Sequence, residues 1–485
     1  MTPEDKNEIL CFKDLVFANP FLSERQRLEE QILGSEGMAR LTKSQRLRAL
    51  VERAAVLEQQ INTPKTLRKL PAQLKQAGAS LALFCLFHEL IDDLDPLIQS
   101  DGTRSSINRR AYRKLTSAME TRKSLLSGTE EPAWTRPEHL FACFFQLRRA
   151  FHYIHSFVIG ESRPMEALRG RIWESVFTKD MRSFQLWMHR AVGRFPTLIL
   201  GPSGSGKELV ARAIGQSRFL AYNPSTHLFE NGSAQVFHPV NLAALSPTVV
   251  ESELFGHVRG SFTGAHADRA GLFETCGNHG AVFLDEIGEI SGTLQVKLLR
   301  LLQSGEFQRI GESTPRYFSG KIIAATNRNL TKEMQQGRFR EDLFYRICGD
   351  QVHTPALNTI LGDDSSELKR FVTFVCDRLF GGEASQSLGP EIFGILQNQI
   401  TPEYSWPGNF RELEQAIRNI VVTGSYSPIE TQTKVPIDLL HEKADIPLSE
   451  WIRLYAQRAL RVHGSRRKAA AALQIDPRTL ASHLE

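Results

Sequence analysis

The octapeptide GPSGSGKE, Gly201 to Glu208, is the stretch of this chain best suited to chemistry. A short apolar run, Thr197–Leu200, precedes it, and the helix-forming ELVARAI follows. In that setting the spacing G-x-x-x-x-G-K turns backbone N–H groups inward around phosphate oxygens. It also adds the point charge of Lys207 and the positive end of the next helix. Pro202, Ser203, Gly204, Ser205 and Gly206 complete the expected phosphate cradle. Glu208 stands where this motif usually carries a magnesium-binding hydroxyl, so that ligand is absent.

Three further stretches supply the rest of a phosphoryl-transfer site. AVFLDEIGE places Asp285 and Glu286 at the carboxyl end of the apolar run Ala281–Leu284, the end at which open α/β sheets bind ligands. Asp285 suits magnesium, directly or through water, and Glu286 suits the orientation of an attacking water. IIAATN ends in Thr326 and Asn327, polar groups suited to a γ-phosphate or its water. GRFREDLFYRI carries Arg338, Arg340 and Arg346, and WPGNFRELEQAIRN places Arg411 early in a helix. An arginine supplied by a neighbouring subunit is worth about 10³ to 10⁵ in the rate of phosphoryl transfer. Each of these signals is weak alone; their succession is not.

The surrounding sequence shows what must position them. Short apolar strands alternate with helical stretches from about residue 158 to 350, which implies a parallel α/β sheet. Residues 1–157 read as mostly helical: SERQRLEEQILG has a Ser cap and a terminal Gly, and KSQRLRALVERAAVLEQQI has apolar residues at helical spacing. IGESRP, Ile159 to Pro164, reads as a boundary. A helical segment at 351–430 suits a lid. VTGSYSPIETQTKVP, Val422 to Pro436, has linker character, with the linker itself placed at 431–445. Residues 446–485 form a short basic helical end.

Composition narrows the class. The chain has 485 residues, 41% hydrophobic and 23% charged, as in ordinary globular proteins. A net charge of +5 over this length is too dilute to indicate nucleic acid by itself. The six cysteines form no C-x-x-C pair, which fits a reducing cytoplasm rather than a disulfide framework. The N-terminus MTPEDKNEIL does not read as a signal peptide. The most apolar run, ASLALFCLFHELI, falls short of the roughly 20 residues of a membrane span and reads as a core helix. A bacterial cytoplasmic location follows as the expectation.

Taken in order, GPSGSGKE, ESELFGHVRGSFTGA, FLDEIGE, AATN, FREDLFYRI and WPGNFREL resemble the AAA+ domain of bacterial sigma-54-dependent transcriptional activators. The resemblance runs from about Ile159 to Asn419 and includes the Glu after the Lys of the first motif. It implies an ATPase that uses ATP and magnesium, works as a ring of identical subunits and remodels sigma-54 RNA polymerase holoenzyme. The Gly-rich loop Gly260, Ser261, Phe262, Thr263, Gly264 and Ala265 resembles the family's sigma-54 contact loop, with Ser261 in place of the usual Ala. By the same resemblance Asn241 restrains Glu286, Arg340 and Arg346 are fingers reaching the neighbouring subunit, and Arg411 is a second sensor. VHTPALNTILGDD departs from the family pattern, with Asn358 and Thr359 where an Arg-Glu pair is usual.

HGSRRKAAAALQIDPRTLASHLE reads as a helix–turn–helix, similar to the Fis-type DNA-binding end of many family members. Asp476 suits a cap and Pro477 a first helical position. Arg466, Arg467 and Lys468 would meet phosphates of upstream promoter DNA, and Arg478, Thr479 and His483 base edges. The N-terminal third lacks the alternation of a phosphoacceptor domain and reads as a helical sensor for an unknown ligand or protein. Cys85, His88, Glu89 and Asp92 share one helical face and His152 and His155 another, a spacing that two bundle helices could turn into a metal site, although packed polar residues are the plainer account. The main alternative to the activator is a nucleotide-binding, DNA-binding regulator that oligomerises without engaging sigma-54. Another AAA+ remodeller and a P-loop metabolite kinase fit the C-terminal segment less well.

Overall fold

The computed structural model describes residues 1–127, 132–230, 237–277, 280–401, 404–428 and 448–484. The chain divides into two compact units, Met1–Tyr426 and Ser427–Glu485.

The first unit is organised by five parallel strands: β1 (Thr197–Leu200), β2 (Phe237–Asn241), β3 (Ala281–Asp285), β4 (Lys321–Thr326) and β5 (Asp350–His353). Their order is β5-β1-β4-β3-β2. Nearly every residue of β1, β3 and β4 is buried, because helices cover both faces of the sheet. This is why their sequences are continuous apolar runs. The register pairs Leu200 with Thr326 and with His353, and Asn241 with Asp285. The polar residues that end these runs therefore meet along one edge. β5 extends the sheet past residue 350, where the sequence reading had placed the start of the lid. It is an edge strand with only Val352 buried, so it carries no apolar run to announce it.

The N-terminal helices include Pro3–Leu15, Ser23–Arg40, Lys43–Ile61, Ala72–Gln99, Ser105–Thr121 and Pro137–Phe157. The apolar run around Cys85 lies within Ala72–Gln99 and is buried on all sides from Ala77 to Leu86. No helix among the described residues is long and apolar enough to cross a membrane. Two helix ends differ from expectation. Ser23 is already helical behind Leu22, which makes no side-chain cap, and Gly34 at φ 72° kinks a helix that resumes to Arg40.

These helices share their core with the α/β part. Leu57, Leu90 and Phe141 pack in one cluster with Leu220, Tyr222 and Phe229, and Phe21, Ile154 and Val158 join the cluster of Ile199 and Phe283. IGESRP is accordingly a tight link. The backbone N–H groups of Glu161 and Ser162 both donate to the Glu367 carboxylate, the second at 2.6 Å. Arg163 N–H donates to Asp363 at 2.9 Å.

The helices Leu357–Asp363, Glu367–Phe380, Gly382–Gln399 and Asn409–Thr423 make up the segment expected as the lid, and the last of them bonds the Gly-rich loop after β1 through Asn409. The start of Val422–Pro436 is no linker: the last helix runs to Thr423, and Tyr426 is buried with its hydroxyl donating to Glu412 at 3.0 Å. The expected linker 431–445 lies outside the described residues.

In the second unit, helices Leu448–His463, Arg466–Ala472 and Pro477–Leu484 close around Ala456, Ala469, Ala470 and Leu480. Ser465 caps the middle helix by accepting from Lys468 N–H, and Asp476 accepts from Arg478 N–H at 2.8 Å. Arg466, Arg467, Lys468, Arg478 and Thr479 are exposed, and His483 is half-buried.

Candidate nucleotide site

The loop after β1 needs its glycines for shape. A Cβ on Gly201 would lie 2.0 Å from the Thr354 hydroxyl, and Gly204 (φ 74°) would place one 2.4 Å from the Gly408 carbonyl. The loop is thus pinned between the end of β5 and the lid. Ser205 and Thr354 hydroxyls bond at 2.6 Å beneath it. Lys207, at the start of the helix Lys207–Gln216, turns its ammonium back onto the carbonyls of Gly201 and Pro202, each at 3.1 Å. Burial pulls its pKa down, while Glu286 and Asp285 oppose that shift.

The two carboxylates stand at the end of β3. Burial raises the Asp285 pKa, and the neighbouring Glu286 adds to the shift. Such a pair favours a cation, and the donor set fits magnesium. Glu208 does not replace the missing hydroxyl: it is exposed and paired with Arg212 at 3.0 Å. Glu286 adopts φ 57°, a left-handed conformation that turns its side chain out of the strand line, and its carboxylate accepts from Asn327 N–H at 3.4 Å. Thr326 is buried and accepts from Arg328 N–H at 3.1 Å.

Asn241 lies beside Asp285 in register, yet no hydrogen bond joins it to Glu286. Its side-chain oxygen instead accepts from Ala243 and Ala244 N–H at 2.9 and 3.1 Å. Arg411 does reach the phosphate loop, donating to the Ser203 hydroxyl at 3.2 Å. Arg340 is turned onto Asp342 at 2.7 Å and Arg346 is exposed. Neither bonds the phosphate loop of its own chain.

The loop Gly260–Ala265 follows the helix Pro247–Phe255 and is closed by Gly260 N–H donating to the Ala265 carbonyl at 2.9 Å. Gly260 and Gly264 take φ of 80° and 102°, conformations that suit glycine. Thr263 and Gly264 are exposed, but Phe262 is half-buried, edge-on to His257 at 5.0 Å. The expected tip is therefore folded back in this state.

Several positioning residues escaped the sequence reading. Asn409 and Thr354 lie in WPGNFREL and VHTPALNTILGDD, where nothing in the sequence marks either as a contact of the Gly-rich loop after β1. Gln295, almost fully buried, bonds the carbonyls of Ile290 and Arg338 and accepts from Arg340 N–H at 2.8 Å. Nothing in its sequence context marks it. The N-terminal His and Cys residues form no metal group: among the described residues no three His, Cys, Asp or Glu side chains converge. His88 packs against Phe84 and Phe87, and His155 against Phe21 and Phe151.

Residues 178–353 match the family model described as the sigma-54 interaction domain. Curated relatives share this region. The anaerobic nitric oxide reductase transcription regulator NorR of Aeromonas salmonicida is 44% identical over 227 residues, 46% of this chain and 40% of that protein. The NorR of Salmonella paratyphi C is 44% identical over 253 residues, 52% of this chain and 45% of its own length. The chain thus matches less than half the length of these relatives. Among solved structures, NtrX from Brucella abortus in complex with ADP aligns at 24% identity with a TM-score of 0.41, covering 77% of this chain and 75% of that one.

Proposed function

From the match of residues 178–353 to the sigma-54 interaction domain model, we propose that the chain is an ATP-hydrolysing activator of sigma-54 RNA polymerase. The observation that carries the reading is the convergence at one sheet edge. Lys207 rests on two loop carbonyls where phosphate oxygens would take it over, Asp285 and Glu286 face it, and Arg411 closes from the lid. Magnesium bound with ATP would neutralise phosphate charge. Glu286 orients and polarises the water, and Asn327 N–H holds the Glu286 carboxylate until it does so. Arg340 and Arg346 serve the site of a neighbouring protomer in a ring, in keeping with their distance in bonding from their own loop. The cycle then frees the Phe262 loop from His257 and presses it on sigma-54.

The C-terminal unit anchors the assembly to upstream DNA. Arg466, Arg467 and Lys468 flank the capped start of one helix and contact phosphates; Arg478, Thr479 and His483 lie on the next and read bases.

Glu286→Gln tests the reading. ATP binding should persist, while hydrolysis falls at least ~10²-fold, the usual contribution of a positioned general base. Hydrolysis at the wild-type rate would remove Glu286 from the mechanism. Transcription in vitro from a sigma-54 promoter, with a sigma-70 promoter as control, separates this activator from a regulator that never engages sigma-54.

A further inference from the structure

A cavity of about 1080 Å³ opens among the N-terminal helices, away from the nucleotide motif. Its walls come from the helices Lys43–Ile61, Ala72–Gln99 and Pro137–Phe157, the link Val158–Glu161 and the helix Arg163–Phe177. Phe84, Phe87, Phe144, Phe151 and Trp173 give it a mainly aromatic surface. His88 and His155 face the same space. Burial pulls the pKa of each down to about 4, so both are neutral rings near pH 7. Each is held by aromatic neighbours, which leaves its ring nitrogens for another partner.

The charges at this cavity do not balance. Six cations line it, Arg25, Lys43, Arg46, Arg148, Arg169 and Arg370, against the carboxylates of Glu29, Glu161 and Glu166. Arg25 is spent on Glu29 at 2.8 Å, Arg370 on Glu161 at 3.0 Å, and Arg148 on Asp95 at 2.6 Å. Lys43, Arg46 and Arg169 form no ion pair among the described residues, and Glu166 is the one lining carboxylate left near them. Arg169 is only 4% exposed. It donates to the carbonyls of Val158 and Gly160, yet its Nε has no partner, and neither does the buried Nε of Arg46. A buried guanidinium with an unmet N–H is costly unless an acceptor arrives.

We propose that this cavity is the binding site of a small amphipathic organic anion, with its apolar or aromatic body on the phenyl surface and its carboxylate held by Arg169, Arg46 and Lys43. The dimensions agree, since ligand clefts span about 300 to 1,000 Å³ and combine apolar walls with a few polar groups. Guanidinium is the group that best matches a carboxylate, through paired N–H donors. The excess positive charge disfavours a cationic ligand. The inference does not rest on the ATPase reading, because binding is measured without nucleotide.

The test uses the full chain and 8-anilino-1-naphthalenesulfonate, an aromatic anion that fluoresces when it leaves water. Decanoate and decyltrimethylammonium serve as competitors of like chain length and opposite charge. The expected result is one probe site per chain, displaced by decanoate at least tenfold more effectively than by the ammonium. Lys43→Glu, at an exposed position, and Arg46→Glu should each weaken decanoate about tenfold or more, with near-ultraviolet circular dichroism unchanged. Leu147→Trp should shrink the cavity and abolish probe binding. Equal competition by the cation, or binding indifferent to both charge reversals, would overturn the proposal. So would fluorescence that appears only as native circular dichroism is lost.

Discussion

The side-chain amide of Asn409 donates to the Ser203 carbonyl at 2.9 Å, and its oxygen accepts from Leu357 N–H at 2.8 Å. One residue thereby ties the phosphate loop, the first lid helix and the last lid helix together. It sits at φ 53°, a conformation that asparagine tolerates better than most side chains. Phe410 N–H reinforces the contact by donating to Gly204 at 3.0 Å.

Asn409→Ala should therefore loosen the lid on the loop. We expect faster release of a fluorescent ADP analogue in stopped flow, with a loss of about 1 to 3 kcal/mol in unfolding free energy from the unmet buried groups. If release and stability both match the wild type, the clasp has no role in holding nucleotide.

Phe262 is parked on His257, whose own Nδ1 pairs with the Ser252 hydroxyl at 2.7 Å. Phe262→Ala should leave ATP hydrolysis within about twofold of normal, because it removes no transition-state contact. Open-complex formation on a sigma-54 promoter should vanish. Joint loss of both activities would mean that the loop supports the ATPase instead of the polymerase contact.

Glu367 has a fully buried side chain that accepts from Glu161 and Ser162 N–H and pairs with Arg370 at 3.0 Å. Glu367→Ala leaves two backbone amides unmet and removes one of the two carboxylates on Arg370, so a loss of about 1 to 3 kcal/mol is expected in a denaturant titration. Arg370 and Glu161 also line the N-terminal cavity. Decanoate should thus shift nucleotide affinity in the wild type, and Glu367→Gln should uncouple the two ligands without abolishing either binding event. An unchanged shift in that variant would exclude this route.

His88 carries a pH signature. Its folded pKa is lowered to about 4 by burial, with Arg25 and Arg148 adding repulsion. Below its unfolded value of about 6.5, the unfolded chain takes up a proton that the folded chain refuses. Stability must then fall as pH drops from about 6.5 toward 4, by on the order of 2 kcal/mol from this group. His88→Phe should flatten that part of the profile in urea titrations at pH 7 and pH 5. An identical slope would show that other groups govern it.

The legible part of the site was its charged, motif-bearing residues. GPSGSGKE and FLDEIGE marked where their strands end, because strands buried on both faces must be apolar throughout and their polar ends then stand out. Thr354, Gln295 and Glu367 stayed hidden: each works through a partner between 45 and 206 positions away. In this structure the Asn241 side chain bonds two backbone donors within three residues rather than Glu286, a local competition that the sequence does not announce. The boundary at IGESRP misled because a polar, Gly- and Pro-containing stretch looks alike whether solvated or, as here, bound by a buried carboxylate.

The sequence by itself determined the three apolar strands of the sheet, the Gly-rich loop and the identity of the charged groups at the strand ends, because periodicity and motif spacing are local properties of a chain. The tertiary structure decided how the lid closes on the loop, where Phe262 rests and that the N-terminal helices enclose a cationic, aromatic-lined cavity. Those depend on which buried groups meet across long separations, and the cost of leaving a buried donor or charge unpaired selects the partner only once the chain is packed.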